Sequence, residues 1–103
     1  MAKRKQYRRY EEELYEALQD SDEAVAYLNA ALEEDDPEVF LLALRHVVQA
    51  RGGGIPALAE LTSLNREHLY RVLSEHGNPA LRTLEKVLDA LGLRLSIQYK
   101  QAS

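Results

Sequence analysis

The chain of 103 residues contains no cysteine. This absence excludes disulfide bonds, thiolate nucleophiles and cysteine metal ligands, and it is compatible with a reducing compartment. No apolar run approaches the length that spans a membrane, and the basic N-terminus is not followed by the apolar segment of a secretory signal. We therefore expect one cytoplasmic domain with a modest hydrophobic core.

Patterns that indicate catalysis or cofactor binding are also lacking. Glycines 52–54 lack the further glycines or the lysine of a nucleotide-binding loop, so we interpret them as a helix C-cap and a hinge. The histidines share no metal-ligand spacing. His46 is expected at the edge of the core, and His68 and His76 on the surface of one helix. Without a Ser/His/Asp set or a carboxylate pair, we expect no enzyme activity, no cofactor and no metal site.

The charge is unevenly divided along the chain. Residues 1–36 contain five Lys or Arg and eleven Asp or Glu, whereas residues 37–103 contain eight and six. The two parts have formal charges of −6 and +2, which together give the net charge of −4. The acidic part is complementary to a basic partner, and a solvated helical face is the alternative explanation. A charge of +2 predicts a weak grip on DNA by one copy, so two copies are expected to act together.

Helical periodicity and capping signals divide the chain into parts. Residues 1–10 form a basic arm, for which a disordered tail and a contact with DNA phosphates or a partner are the alternatives. Residues 11–36 are expected to form acidic helices, with Ser21 as the N-cap of the second. Residues 37–92 form the remaining helices. The first of these starts with Asp36-Pro37 as N-cap and N1, and its apolar residues lie nearly all round it, which places it centrally.

Residues 55–76 contain two short helical patterns joined by a turn. The first has Leu58, Ala59 and Leu61 on one side, and Leu64 is expected to tuck under the turn. Asn65 can cap the second helix, whose apolar residues follow helical spacing. Two helices joined by so short a turn must cross steeply, and a small alanine lets their backbones approach closely.

The outer face of the second helix and the turn after it carry residues that can contact DNA. An arginine can bind guanine with two hydrogen bonds, and polar side chains beside a helix can hold phosphates. Asn65 is more simply a helix cap, and an exposed helix surface without a ligand is the alternative for the whole set. We therefore interpret residues 37–92 as a helix-turn-helix DNA-binding domain, whose DNA-binding candidates are Asn65, Arg66, Glu67, Tyr70, Arg71, Asn78 and Arg82.

Residues 93–99 alternate apolar and polar side chains, which predicts a β-strand with one apolar face. The apolar members are Leu93, Leu95, Ile97 and Tyr99. A single strand has no pairing partner in an otherwise helical chain, so it is expected to pair with a second copy or a partner protein. The expected fold class is therefore all-α, a bundle of five to six helices with a short C-terminal β-strand and tail in residues 93–103.

From residue 55 to residue 93 the chain resembles the lambda-repressor-type (Xre-like) helix-turn-helix family. The resemblance rests on Leu58-Ala59, Leu64, Leu69, the turn at residues 77–79 and the run from Thr83 to Leu93. A longer pattern, which adds residues 23–32, 40–45 and 69–74, resembles the addiction-module antidote proteins of HigA-like character. Two positions depart from the wider family, since Ser63 stands at the usual turn glycine and Ile55 at a glutamine that grips a phosphate.

The resemblance implies an antitoxin that neutralises a small, usually basic toxin of the RelE/ParE-like type and represses its own operon. It implies a dimer on palindromic double-stranded operator DNA, with two recognition helices in successive major grooves. Arg66, Glu67 and Arg71 then reach the groove, with Tyr70 close by. The alternatives are a phage-type transcriptional repressor without a toxin, or a helical protein-interaction module that does not bind DNA.

Overall fold

A computed structural model describes the backbone of residues 2–101 and the side chains of residues 8–51 and 53–101. This part of the chain forms six α-helices and no β-strand, which confirms the all-α class. None of the six is both long and apolar enough to cross a membrane. They are α1 (Ala2–Ala17), α2 (Ser21–Leu32), α3 (Pro37–Gly52), α4 (Ile55–Thr62), α5 (Arg66–Val72) and α6 (Leu81–Ala90).

Helix α3 lies at the centre of the packing, as its apolar circumference predicts, and contacts α1, α2 and α4. Leu44 and Val47 have no exposed surface. Helix α4 forms a second centre, since it packs against α3, α5 and α6. One hydrophobic cluster extends from Leu18 to Leu91, so the acidic helices and the helices after residue 36 share a single core.

The helix ends follow the capping signals with one exception. The Asp36 carboxylate accepts a hydrogen bond from the Glu38 N–H at 3.0 Å, which confirms the predicted start of α3. The expectation that Ser21 caps α2 is wrong. The cap is Asp20, whose Oδ1 accepts from the Asp22 N–H at 2.9 Å, and Ser21 is the first helical residue. A carboxylate at this position also interacts favourably with the positive end of the helix dipole.

The Ser21 hydroxyl accepts a hydrogen bond from Arg51, a residue that binds three separate acceptors. Its Nη1 donates to the Gln19 carbonyl at 2.8 Å, and its Nη2 donates to the Ser21 hydroxyl at 3.1 Å and to the Leu91 carbonyl at 3.4 Å. One guanidinium near the end of α3 thereby joins the α1–α2 turn to the end of α6. Immediately after it, Gly53 ends α3 with a positive φ of 73°, which confirms the predicted glycine C-cap.

The two ends of the chain differ from expectation. Residues 2–10 are the first part of α1, so the predicted arm and the first helix are one element; Met1 lies outside the described residues. The predicted C-terminal strand is not confirmed, because residues 93–101 form neither helix nor strand. The physical reason is the one that the sequence suggested: a strand is defined by its pairing, and the described part of one chain offers no second strand. Residues 102 and 103 lie outside the described residues.

Three side chains meet where α1, α2 and α3 pack together. A hydrogen bond of 2.7 Å joins the Tyr27 hydroxyl to His46 Nδ1. The Tyr15 and His46 rings pack edge to face, with their centroids 6.1 Å apart. The pKa of His46 is lowered chiefly because burial penalises the charged imidazolium; Arg45 adds to this effect and Glu11 opposes it. His46 therefore lies at the core edge, as predicted, and its neutral form is favoured.

This burial predicts a pH dependence of stability. Unfolded His46 has the ordinary pKa of 6.5, above the folded value, so the unfolded chain takes up a proton first as the pH falls. The free energy of unfolding should therefore decrease as the pH drops below 6.5, the pKa of unfolded His46. His46→Gln should remove the contribution of this histidine to the decrease. Urea unfolding between about pH 7.5 and about pH 5.5, above most carboxyl titration, measures it. His68→Gln is the control that keeps the fall, and an unchanged slope in His46→Gln would contradict the assignment.

Candidate nucleic-acid interface

Helices α4 and α5 form a corner, which we call the α4–α5 corner (residues 55–72). Leu58 of α4 and Leu69 of α5 are both fully buried. Leu64, between the helices, is half-buried against the core, as predicted. The expectation that Leu61 belongs to the apolar side of α4 is wrong, since this side chain is exposed. Helix α4 has eight residues, little more than two turns, and Leu58 lies on the side that faces the core. Leu61 lies on the side that faces solvent.

The turn of this corner depends on Thr62 and Ser63. The Thr62 hydroxyl donates to the Leu58 carbonyl at 2.8 Å and accepts from the Leu64 N–H at 3.2 Å, so it closes α4 and holds the turn. Ser63 has a φ of 59°, in the left-handed region where a side chain costs about 1–2 kcal/mol. The sequence analysis identified Ser63 as the residue at the usual turn glycine, but it missed the part played by Thr62. The signal for it is a threonine one residue before a turn, where its hydroxyl can bond to nearby backbone.

Helix α5 is fixed at its first residue by the predicted cap. Asn65 Oδ1 accepts a hydrogen bond from the His68 N–H at 2.9 Å, and Asn65 itself has extended backbone angles. Such a cap typically stabilises a helix by about 1 kcal/mol. Asn65, the cap predicted from the sequence, therefore sets the start of α5 and the direction of its first turn.

The other end of α5 is held by a residue that the sequence analysis did not single out. Arg45, on α3, donates from Nη1 to the carbonyl oxygen of Leu73 at 2.6 Å. Leu73 is the C-cap of α5 and is fully buried. A positive charge here also suits the negative end of the helix dipole. No local pattern could reveal this contact, because the two residues are 28 positions apart in the chain.

The structure leaves the side chains of all seven DNA-binding candidates exposed. Five belong to α5 or its cap, one follows the turn after α5, and one lies in the first turn of α6. Exposure on one short helix is what contact with a large ligand requires, but their contacts with DNA stay a prediction. The seven are Asn65, Arg66, Glu67, Tyr70, Arg71, Asn78 and Arg82.

The two arginines of α5 have different surroundings. Arg71 donates from Nη2 to His68 Nδ1 at 3.0 Å, which holds its guanidinium along the exposed face of the helix. Arg66 borders a shallow depression together with Gly53 and Pro56, at the start of α4. Arg66 therefore lies beside the start of α4, and Glu60 lines the same depression.

The turn after α5 requires a glycine because of a close approach. A Cβ at Gly77 would lie 2.0 Å from the Val72 carbonyl oxygen, a distance that no side chain can adopt. The Gly77 N–H also donates to the Ser74 carbonyl at 2.9 Å. The observed turn covers residues 74–77, so the turn predicted at residues 77–79 lies a few residues earlier in the chain, and Asn78 follows it.

His76 lies in this turn and not on the helix of His68, so the expectation of one shared helix is wrong: α5 ends at Val72. His76 Nδ1 lies 2.8 Å from Glu38 Oε1 at the start of α3. Potential ligand atoms of Glu38, Glu75 and His76 lie within 4.8 Å of one another, and all three side chains are exposed. Histidine spacing alone could not reveal this group, because one member comes from a distant helix.

Comparison with known proteins adds a family to this geometry. Residues 9–99 match the family model described as "probable addiction module antidote protein". The chain is also 37% identical, over 86 residues, to an uncharacterised protein of Haemophilus influenzae strain Rd. The match covers 84% of this chain and 87% of that protein. No solved structure is significantly similar to the chain.

The hydrogen bond from Arg45 predicts that a substitution on α3 can destabilise α5. Arg45→Met keeps the aliphatic stem and removes the donor, so the free energy of unfolding should fall by about 1–3 kcal/mol. Amide hydrogen exchange in α5 should quicken more than exchange in α6. Arg45→Lys, which keeps one charged donor, should retain part of the protection. Equal changes in both helices would show that Arg45 does not act on α5 in particular.

Proposed function

The chain belongs to the family of probable addiction module antidote proteins, and from this premise we propose how it acts as an antitoxin. It neutralises a small basic toxin of the RelE/ParE-like type and represses its own operon by binding double-stranded operator DNA as a homodimer. The α4–α5 corner is a helix-turn-helix of the lambda-repressor type, with α5 as the recognition helix. The action is stoichiometric binding in the cytoplasm, without catalysis.

The observation that carries the DNA-binding part is the division of α5 into two faces. Leu69, Val72 and Leu73 are buried in the core. The opposite face exposes Arg66, Glu67, Tyr70 and Arg71, which combine charge, hydrogen-bond donors and an aromatic ring. Arginine and glutamate recognise guanine and cytosine in the major groove, which has the width of one helix. A helix of seven residues is long enough, because only its first turns need to reach the bases.

Residues beyond α5 support the same geometry. Asn78 follows the recognition helix, and Arg82 is in the first turn of α6, where both suit contact with phosphates. Arg66, which reaches the groove from the first turn of α5, also lies beside the start of α4, where Ile55 replaces the family glutamine that grips a phosphate. Such contacts set the register of the protein on the duplex and carry no sequence information by themselves.

The charge and the size of the chain support a homodimer. The balance of +2 over residues 37–103 gives one copy few phosphate contacts. Two copies related by a two-fold axis place two α5 helices in successive major grooves, roughly 34 Å apart. One copy measures 43 × 41 × 26 Å, so neighbouring copies can meet this separation.

The toxin-binding part rests on the acidic helices. Residues 10–44 contain twelve Asp or Glu and no Lys or Arg. Most of these carboxylates are exposed, on α1, on both ends of α2 and at the start of α3. A surface with one sign of charge accelerates association with a partner of the opposite sign, and a basic toxin is such a partner.

Substitution of Arg71 tests the DNA-binding part. In a mobility-shift assay, Arg71→Ala should reduce the preference for the upstream duplex over a scrambled one by about 5- to 150-fold, equivalent to about 1–3 kcal/mol. The fold should be unchanged, because the side chain is exposed. Arg71→Lys should lose the preference and keep the affinity for the scrambled duplex, since lysine lacks the bidentate fork.

Arg82→Ala provides the matched comparison for a phosphate contact. It should weaken binding to both duplexes equally and lower the slope of log affinity against log salt by about 1. Unchanged affinity and preference in Arg71→Ala would overturn the assignment of α5 as the recognition helix.

Charge reversal on α1 tests the toxin-binding part. The probe is the small basic protein encoded by the neighbouring gene, co-expressed and purified with this chain. Glu12→Lys with Glu16→Lys should lower the association rate about tenfold at low salt, with little effect at high salt. Glu85→Lys with Asp89→Lys makes the same change of charge, with the same spacing, on α6. Equal effects of the two pairs would show that the acidic helices have no special part in toxin binding.

A further inference from the structure

An open groove of about 1150 Å³ lies between the α2–α3 junction and the C-terminal segment (residues 93–101). Its lining includes Leu28, Leu32, Phe40 and Leu84. Leu32 is 53% exposed, although helical spacing in the sequence places it on the apolar side of α2. The groove therefore accounts for an apolar surface that the sequence predicts and that one copy of the chain leaves uncovered.

The C-terminal segment forms one wall of this groove. Arg94, Leu95, Ser96 and Gln98 line it. In the described part of the chain the backbone hydrogen bonds end with the Leu93 N–H, which donates to the Leu88 carbonyl at 2.8 Å. The backbone of the following residues is thus open to pairing with another extended segment.

The apolar side chains of this segment change from half-buried to exposed along the chain. Leu93 packs against the core and Leu95 is 43% exposed, whereas Ile97 is 98% and Tyr99 101% exposed. In an extended strand these alternate residues share one face. The apolar face of the segment therefore packs against the core only at Leu93 and continues beyond the packed body of the chain. Its last two side chains, Ile97 and Tyr99, have no apolar surface in the described part of the same chain to cover them.

We propose that the groove of a second copy of the same chain provides such a surface. Residues 93–99 of the two copies pair as antiparallel strands about a two-fold axis, centred on Ser96. Ile97 and Tyr99 of each copy then cover the groove of the other. The proposal supplies the interface for the homodimer of the proposed function, but it does not require that the dimer binds DNA or a toxin.

The centre of the pairing follows from matching the apolar faces. Directly opposite residues of antiparallel strands point to the same side of the ribbon. With Ser96 opposite Ser96 of the second copy, Ile97 lies opposite Leu95 and Tyr99 opposite Leu93. All eight apolar side chains of the two strands then lie on one side of the ribbon, the side on which Leu93 packs against the core. A shift by one residue would bring apolar residues opposite polar ones and expose half of the set.

Charge favours the same occupant. Residues 93–101 carry Arg94 and Lys100 and no Asp or Glu. The lining of the groove includes three carboxylates, those of Glu33, Asp35 and Asp36, and their charge attracts the basic strand of a second copy. In the proposed register Arg94 lies opposite Gln98, so like charges do not face each other across the two strands. Because each copy offers both the basic strand and the acidic groove, the contact is self-complementary, as a two-fold interface requires.

A single cysteine tests the register, because the chain has no other cysteine. Under mild oxidation without DNA, most of Ser96→Cys should become a disulfide-linked dimer, since the Cα atoms of directly opposite residues lie about 4.5–5.5 Å apart, which a disulfide can span. Arg94→Cys should not cross-link with itself, because residues 94 of the two copies would be about 14 Å apart at about 3.4 Å per residue. An equal mixture of Arg94→Cys and Gln98→Cys should cross-link as a heterodimer.

Light scattering with size exclusion at about 50 µM tests the interface without a cross-link. The unmodified protein should have the mass of a dimer, and Ile97→Lys that of a monomer with an unchanged circular dichroism spectrum. A monomeric unmodified protein, or a dimer in which Arg94→Cys cross-links with itself and Ser96→Cys does not, would overturn the proposal. A cross-linked Ser96→Cys dimer without DNA binding would uphold it and contradict the repressor assignment instead.

Discussion

Helix α5 has only seven residues, too few to remain helical in water without outside support. Everything that its outer face presents therefore depends on what holds its inner face and its two ends. Leu69 and Leu73 are buried in the core, Asn65 caps the first turn, and Arg45 binds the last carbonyl from α3. Three kinds of interaction thus fix the direction of one exposed helix, and an interface with a rigid duplex requires such a fixed direction.

The acidic and basic surfaces of the chain lie on different elements of one packed body. Residues 10–44 contain twelve Asp or Glu and no Lys or Arg, whereas the exposed arginines of the α4–α5 corner belong to the part with a small positive balance. Both parts share one hydrophobic cluster. The Arg51 guanidinium also joins the α1–α2 turn and the start of α2 to the end of α6. A partner that binds the acidic helices and a duplex that binds α5 would therefore contact two surfaces of one packed body, which gives a structural route for coupling between the two.

Much of this arrangement could be read from local sequence. Asp36-Pro37, Gly53 and Asn65 are caps whose chemistry is confined to a few neighbouring residues, and each lies where it was predicted. Leu61 and Ser21 were assigned wrongly, because the first depends on how α4 is rotated against its neighbours and the second on a competing donor from Arg51. Arg45 and the Glu38–His76 contact could not be found at all, since their partners are far apart in the chain. The predicted C-terminal strand differs from both groups, because its pattern is local but the described part of the chain contains no second strand with which it could pair.

The most direct test of the account is a map of the surface that the upstream duplex touches. In ¹H–¹⁵N NMR spectra of the full chain, titration with this duplex should shift the amide signals of residues 63–72 and 78–82 and leave those of α1 and α2 nearly unchanged. Shifts confined to the acidic helices, or no shifts at all beside an intact spectrum, would contradict the claim that α5 is held outward as a reading surface for DNA.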